Sequence, residues 1–455
     1  MRVLSINLEG PGLPRSIPFA VKPSANETGN WITVLSGENG TRKSVLLRLI
    51  TSAALNGTSY RTSSKWLSTA TLNSSDPVRY VLAASGIYSD RFPQVVGAQI
   101  TRPLSGFDLD NFSYFGPRYA GNVAGRGRMA AGLLLSMLEN PIAGAERAKS
   151  VSAVLQCLGF TTEVRAVLAP RRGVDDVTKG AKGLRLYADK VLSNLRNSEA
   201  SFAEEMRQFL NSLDVDSAIK EVLYTRDLVI SLDEKGAVEI KKHKWLVPYL
   251  KAGMLNVADL KFFSTKGKQP AAADGVSVDD LSSGQLQILN NLLNLSLCVK
   301  DDSLVLIDEP ENSLHPEWQR DYISLLRRSL ACAKKCHIVI ATHSPLVASG
   351  VQSSEGSLIG LRRNEDDGSL EVVPSEAVHG WLPSTVLEER FDMETVRAPE
   401  LSKAVATALD LLKTKGGDKA RLRQACAALK ELLKELPPDD VIVPAIEAII
   451  ELGEA

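Results

Sequence analysis

"SLVLIDEPENSLHPEWQ" runs from Ser303 to Gln319, and its first half decides the fold. Leu304 to Ile307 are apolar without alternation, as a strand reads when a parallel sheet buries both of its faces. Two carboxylates, Asp308 and Glu309, follow at the strand's end, and Pro310 breaks the extended run. "HIVIATHSP" (337–345) repeats the arrangement, with His343 just past the tip of a buried strand. A third such strand, "WITVLSG" (31–37), leads into "SGENGTRKS" (36–44), and "KSVLLRLITSAAL" (43–55) then carries apolar residues at helical spacing.

Taken singly, each of these features has an ordinary reading. Two acids after a strand are usually a solvated turn, and one histidine at a strand end is usually a satisfied side chain. The glycine-rich stretch is more telling because it lies between a strand and a helix. It fits G-x-x-x-x-G-K-[ST] from Gly37 to Lys43-Ser44, except that Arg42 stands where the second glycine belongs. In such a loop the backbone of Gly37, Glu38, Asn39, Gly40, Thr41 and Arg42 would wrap a phosphate. Lys43 would reach the outer phosphates and the Ser44 hydroxyl would meet Mg²⁺, with the helix adding its positive end. On this stretch alone a working site, a damaged one and a chance run all remain open.

The acids give the loop a second wall. A carboxylate at the tip of a buried strand, Asp308, can hold Mg²⁺, and the next, Glu309, can orient or deprotonate the attacking water. "LSSGQ" (281–285) puts Ser282, Ser283 and Gly284 at the start of the helical run "LQILNNLLNLSL". That is either an anion-binding device or a well-capped helix.

Elsewhere "VRYVLAASG" (78–86) and "FSYFGPR" (112–118) read as strands, and "DLVISLDEKGAVEIKK" (227–242) as a β-hairpin turning at Glu234 to Gly236. Residues 129–223 read as mostly helical around a polar loop at 169–183. "EDDG" (365–368) reads as a hairpin turn, and the tail from about 398 as three helices. No heptad pattern persists, so a long coiled coil is not expected.

Composition narrows the class. The chain has 455 residues, 44% hydrophobic and 24% charged, with a formal net charge of −1, which suits ordinary globular domains without a global basic field. Five scattered cysteines do not make a disulfide framework. Cys332, Cys336 and His337 cluster without a fourth zinc ligand. No apolar run is long enough to span a membrane and the start lacks a signal-peptide pattern, so a cytoplasmic protein is expected.

The four motifs in this order resemble the ABC-type ATPase heads, with Gly37–Ser44 as Walker A, LSSGQ as signature, Asp308-Glu309 as Walker B and His343 as switch histidine. Within that group the chain is most similar to the RecF/OLD-like AAA ATPases of bacterial genome maintenance and phage defence. "DEPENSLHPEWQ" (308–319), "YSDRFP", "YFGPR" and "ATHSP" carry that likeness. The resemblance implies an α/β fold: a mixed, mostly parallel sheet flanked by helices, with an inserted mainly helical lobe and a C-terminal helical segment. Boundaries are expected at 1–130, 131–225, 226–365 and 366–455.

It further implies ATP and Mg²⁺ as cofactors, Ser44 and Asp308 as metal ligands, and Glu309 and His343 as the catalytic pair. Ser282, Ser283 and Gly284 would cap the nucleotide of a second copy in a head-to-tail homodimer or larger assembly, and Ser313 to Pro316 would cross between copies. Arg118 stands roughly at the Q-loop and takes a sensor role.

Two departures matter. Ser283 replaces the second glycine of the commoner LSGGQ. Arg42 replaces a glycine and puts the hydrolysis rate in question. Its position at the helix start predicts a helix-like backbone with negative φ, the side chain turned away from the β-phosphate or toward a partner.

The span from Lys43 to Ser282 is longer than a transporter's ATP-binding domain needs, and SLHP stands where transporters usually show SALD. After His343 no acidic E…DxD set marks a Toprim nuclease, and no paired histidine motif marks a built-in HNH nuclease. The expected effector is therefore a separate protein. The layout is nearest the ATPases of Septu-type defence systems, which pair with an HNH nuclease; PARIS and retron-associated ATPases are near alternatives. A RecF-like DNA maintenance ATPase and an ATP-bound scaffold with little hydrolysis are the competing readings. Arg126, Arg128, Arg171, Arg172, Lys241, Lys242 and Lys244 form a basic set that either touches DNA or an effector or is a solvated surface.

Overall fold

The computed structural model describes residues 1–10, 12–23, 27–38, 40–57, 59–61, 69–90, 92, 111–117, 126–170, 227–243, 246–251, 255–265, 275–364, 366–375, 379–390, 397–413 and 419–454. They separate into two compact units, Met1–Trp381 and Leu382–Ala455.

The larger unit is built on a seven-stranded sheet. From one edge to the other the strands are Leu370–Ser375, Gly356–Arg363, Trp31–Gly37, His337–Ala341, Ser303–Asp308, Tyr80–Ser85 and Phe112–Phe115. Every pairing is parallel except the first, where the expected turn near 365–368 joins an antiparallel hairpin. Ser303–Asp308 and His337–Ala341 are buried at every residue, which is why neither alternates. On one face Val81, Ala83, Leu304, Leu306, Val339 and Ala341 pack with Leu46, Leu47 and Ile50 of the helix Lys43–Leu55. Val3, Ile6, Ile17 and Phe19 of a smaller antiparallel sheet join the same core. Parallel strands point one way, so Gly37, Ser85, Asp308 and Ala341 all finish at the sheet's carboxyl edge. Open α/β sheets bind ligands there.

A third, antiparallel sheet runs Val276–Ser277, Leu255–Ser264, Phe160–Pro170, Asp227–Ser231. Phe160–Pro170 corrects the expectation of a mostly helical stretch over 129–223. Only Arg126–Glu139 and Ala145–Cys157 are helical in its described part. The expected hairpin at 227–242 is also corrected, since Asp227–Ser231 is a strand but Gly236–Lys242 is a helix. Asp233 Oδ1 accepts the Gly236 N–H at 2.7 Å, and a Cβ on Gly236 would lie 1.9 Å from the Ser231 carbonyl oxygen. The chain thus turns tightly into a helix whose first N–H is capped.

The smaller unit holds the helices Pro383–Arg390, Pro399–Lys413, Lys419–Leu433 and Val443–Glu454. The last three are the expected tail helices, and they close around Leu401, Ala408, Leu429, Ile446 and Ile450. No helix among the described residues exceeds 15 residues, and none is long and apolar enough to cross a membrane.

Candidate functional site

Four loops meet at the carboxyl edge of the large sheet. The first follows the strand Trp31–Gly37. Gly37 has φ +148°, and a Cβ there would sit 2.2 Å from the Leu361 carbonyl oxygen, so only glycine fits. Thr41 is buried and donates its hydroxyl to the Glu38 carbonyl at 2.8 Å, pinning the turn. Lys43 opens the helix with its side chain folded back. Its Nζ donates to the Gly37 carbonyl at 2.8 Å and the Glu38 carbonyl at 3.2 Å.

Arg42 corrects the expectation. Its φ is +65°, left-handed rather than helical. The glycine of the pattern is therefore there for its backbone: the loop turns back on itself one residue before the helix, where an L side chain is strained. Arg42→Gly is expected to raise the stability of this unit by about 1 kcal/mol, read as a higher thermal midpoint. An unchanged or lower midpoint would show that the Arg42 side chain compensates for its own strain.

The strand Ser303–Asp308 brings its acids to the same place. Ser44 Oγ donates to Asp308 Oδ1 at 3.0 Å, joining residues 264 positions apart. Asp308 Oδ2 is buried with no hydrogen-bond partner among the described residues. Burial lifts the Asp308 carboxyl to about 7, with Ser44 and Lys43 pulling the other way. A fully buried acid with one free oxygen beside a serine hydroxyl is the donor set of a hard, oxygen-liganded cation, so Ser44 and Asp308 fit Mg²⁺.

Glu309 has φ +48°, and its N–H donates to the Ala341 carbonyl at 2.8 Å. That bond holds the residue at the strand's end while its side chain swings to His343, where Nε2 lies 3.1 Å from Glu309 Oε1. The same Nε2 is 2.8 Å from Lys43 Nζ. One ring nitrogen cannot at once accept from an ammonium and donate to a carboxylate. The trio is therefore an electrostatic cluster whose bonds redistribute when an anion enters. Burial lowers Lys43 to about 8, opposed by Glu309, Glu311 and Asp308.

Glu311 is the residue that sequence reasoning passed over. It stands within "DEPEN" but had no assigned role. Its Oε1 accepts the His343 N–H at 2.6 Å, and burial, with the charge of Glu309 nearby, raises its carboxyl to about 8. Gly86 is a second omission: its N–H donates to the Asp308 carbonyl at 2.9 Å, and a Cβ would meet the Glu309 carbonyl oxygen at 2.2 Å.

The signature stretch is placed differently. Ser282 is the N-cap of the helix Ser283–Ile288, in a capping box with Gln285 at 3.2 and 3.0 Å. The capping reading therefore holds for Ser282, and it leaves Ser283 and Ser282 exposed. No hydrogen bond ties either serine to Lys43 or Asp308 among the described residues. Gly284 faces inward, where a Cβ would lie 2.7 Å from the Ser313 carbonyl oxygen and 3.2 Å from the Trp318 ring. Lower down, Gln287 Nε2 donates to the Pro310 carbonyl at 2.7 Å. Across a π turn at Leu289–Leu293, Asn291 Nδ2 reaches the Ser85 carbonyl at 3.2 Å. The signature helix is thus bolted to the Walker B loop of its own chain while its tip faces outward.

Arg126 is not part of a free basic face. Its guanidinium donates to the carbonyls of Val278, Asp279 and Leu281, just before the signature serines. Lys241 and Lys242 are exposed on Gly236–Lys242. Asn39, Arg118, Arg171, Arg172 and Lys244, and the side chain of Arg128, lie outside the described residues.

Residues 172–349 match the family described as "AAA domain, putative AbiEii toxin, Type IV TA system", a span that takes in LSSGQ, Asp308-Glu309 and His343. The Septu protein PtuA of Bacillus thuringiensis is 32% identical over 107 residues, which are 23% of this chain and 26% of that protein. The chain thus matches about a quarter of the length of that curated relative. The SMC head domain from Thermotoga maritima superposes with a TM-score of 0.31 at 11% identity, over 83% of this chain and all of that one. UvrA2 from Deinococcus radiodurans gives 0.32 at 12% identity, over 87% and 59%.

Proposed function

We propose that this domain binds and hydrolyses ATP, and that it does so as the engine of a bacterial anti-phage defence complex in the cytoplasm. The observation that carries the first part is the Ser44–Asp308 contact at 3.0 Å, with a free buried oxygen on Asp308 and Lys43, Glu309 and His343 gathered beside it. Gly37, Glu38, Asn39, Gly40, Thr41 and Arg42 would wrap the phosphates, and Lys43 would meet the outer ones. Mg²⁺, held by Ser44 and Asp308, would offset phosphate charge. Glu309 would take a proton from water, and His343 would give a hydrogen bond to the γ-phosphate. Arg118 would take a nucleotide-sensing role.

Ser282, Ser283 and Gly284 would complete the site of a second copy. The exposure of the two serines, at the tip of a helix fixed to its own Walker B loop, supports a head-to-tail homodimer or larger assembly. The likeness to PtuA supports a defence role, with a separate effector, an HNH nuclease being the class proposed. Lys241 and Lys242 would be available to that partner or to DNA. An ATP-held scaffold with little turnover is the second reading, and it draws on the left-handed Arg42.

The assembly is tested by light scattering in the Glu309→Gln background, where ATP is retained. Adding ATP should double the mass, and Ser283→Arg should keep the protein at its starting mass with ATP affinity unchanged. Equal assembly by the Ser283→Arg protein would sink the head-to-tail arrangement.

A further inference from the structure

The loop that carries His343 and the proposed crossing segment at Ser313 to Pro316 are joined by one side chain. Gln319 lies near the start of the helix Pro316–Ser329, and its amide reaches both ways. Its Nε2 donates to the Leu314 carbonyl at 3.0 Å, and its Oε1 accepts from Ser344 Oγ at 2.8 Å. The directions are forced. A carbonyl can only accept, so the amide nitrogen faces Leu314, the amide oxygen faces Ser344, and the serine hydroxyl must donate. The same hydroxyl caps the helix Pro345–Ala348 by accepting the Val347 N–H at 3.3 Å. Every donor in this chain of bonds points from the histidine loop toward the crossing segment.

Each end of the chain is held in its own loop. Ser344 is buried one residue past His343, and its N–H donates to Thr342 Oγ1 at 2.9 Å. A shift of the histidine therefore carries the hydroxyl with it. Leu314 is buried, with its N–H on the Glu311 carbonyl at 3.0 Å, whereas Ser313 (φ +62°), His315 and Pro316 around it are exposed. The signature leans on the same place. A Cβ on Gly284 would lie 2.7 Å from the Ser313 carbonyl oxygen and 3.2 Å from the ring of Trp318, the neighbour of Gln319. The two stretches that face outward thus adjoin, and both rest on the start of one helix.

We propose that Gln319 is a positioning residue that couples the histidine loop to the crossing segment, so that ATP bound in one copy sets the surface presented to the next. This rests on the head-to-tail assembly proposed above. The phosphates of a copy's own ATP would be met by Gly37 to Ser44 and by His343. The signature and the crossing segment would serve the ATP of its neighbour. Gln319 is the side chain whose two hydrogen bonds end one in each group, and only an amide can accept from Ser344 while donating to Leu314.

Gln319→Glu cuts the chain at a known point. A carboxylate still accepts from Ser344 but cannot donate to Leu314, and it sets a negative charge against that carbonyl oxygen. In the Glu309→Gln background, the protein concentration at which ATP doubles the mass should rise about tenfold, the loss expected of one hydrogen bond. ATP affinity should change less than about threefold, because the phosphate contacts lie on Gly37 to Ser44. A role confined to stability would not separate assembly from binding in this way. Ser344→Ala cuts the other arm and should cost about the same. The double variant should stay within about threefold of either single one, because both changes break one chain. Gln319→Met keeps the length and loses the donor, so it should match Gln319→Glu and serves if that protein does not fold. Assembly of Gln319→Glu or Gln319→Met at the parent's concentration would overturn the proposal, as would losses that multiply to about 100-fold in the double variant. A Glu309→Gln protein that binds ATP and keeps its starting mass would remove the head-to-tail reading and this inference with it, and that measurement comes first.

Discussion

Glu309→Gln is expected to cut ATP turnover by about 10²- to 10⁴-fold while ATP still binds. The size follows from what the change removes. Glutamine has the shape of glutamate but cannot accept a proton at neutral pH, so the loss falls on the chemical step alone. The structure makes Glu309 suitable for that step: its side chain is only 12% exposed, and although burial pushes its carboxyl up, His343 and Lys43 hold it below the usual range. Its left-handed backbone is anchored by the N–H to the Ala341 carbonyl, so the base sits at the end of a rigid strand. ATP affinity should hold or tighten, because one negative charge near the phosphates is gone. Single-turnover hydrolysis together with equilibrium binding measures both. Turnover within tenfold of the parent's would remove Glu309 from the base's role and favour the scaffold reading.

How far the sequence foretold this depends on whether the deciding force was local. The buried strands at 31–37, 303–308 and 337–341 were legible because burial on both faces leaves an unalternated apolar run. The loop residues at their ends were legible because their chemistry requires fixed spacing. Phe160–Pro170 was not, because Phe160, Val164 and Leu168 recur every four residues and satisfy a helical stripe as well as alternate strand positions. Only the burial of Ala166 between them separates the two periods. At 234–242 the turn signal was real, but a capping aspartate, Asp233, sent the chain into a helix instead of back along the strand.

Arg42 shows a different limit. The pattern's missing glycine stated that position 42 has a positive φ, and reading the residue as the helix's first turn set that information aside. Glu311 and Arg126 were out of reach for a third reason. A glutamate in a polar loop and an arginine in a basic stretch look solvated until distant backbone closes over them. For Glu311 that backbone is the N–H of His343, and for Arg126 it comes from 278–281.

Lys43→Ala should weaken ATP binding by about 10²- to 10³-fold, or 2.7 to 4.1 kcal/mol at 25 °C. Lys43 is 4% exposed, and its ammonium is the positive charge set against Asp308, Glu309 and Glu311. Alanine would leave three acids facing an incoming triphosphate and would strip the Gly37 and Glu38 carbonyls of a donor. A charged hydrogen bond in a water-poor site is worth this much. Arginine should not restore binding, since its planar fork cannot fold back onto the two carbonyls that a compact ammonium reaches.

The pH dependence gives an independent check. Burial sets Lys43 near 8, so the charged form that attracts phosphate prevails below that value. ATP affinity should therefore fall as pH rises through about 8, and this step should vanish in Lys43→Ala. Thermal unfolding of the variant separates lost binding from a lost fold. An intact Lys43→Ala protein that binds ATP within threefold of the parent would mean that the Gly37–Ser44 loop is a turn before a helix and not a phosphate site. The failures expected of the two variants are distinct: without Lys43 nucleotide does not arrive, and without Glu309 it arrives and is not cleaved.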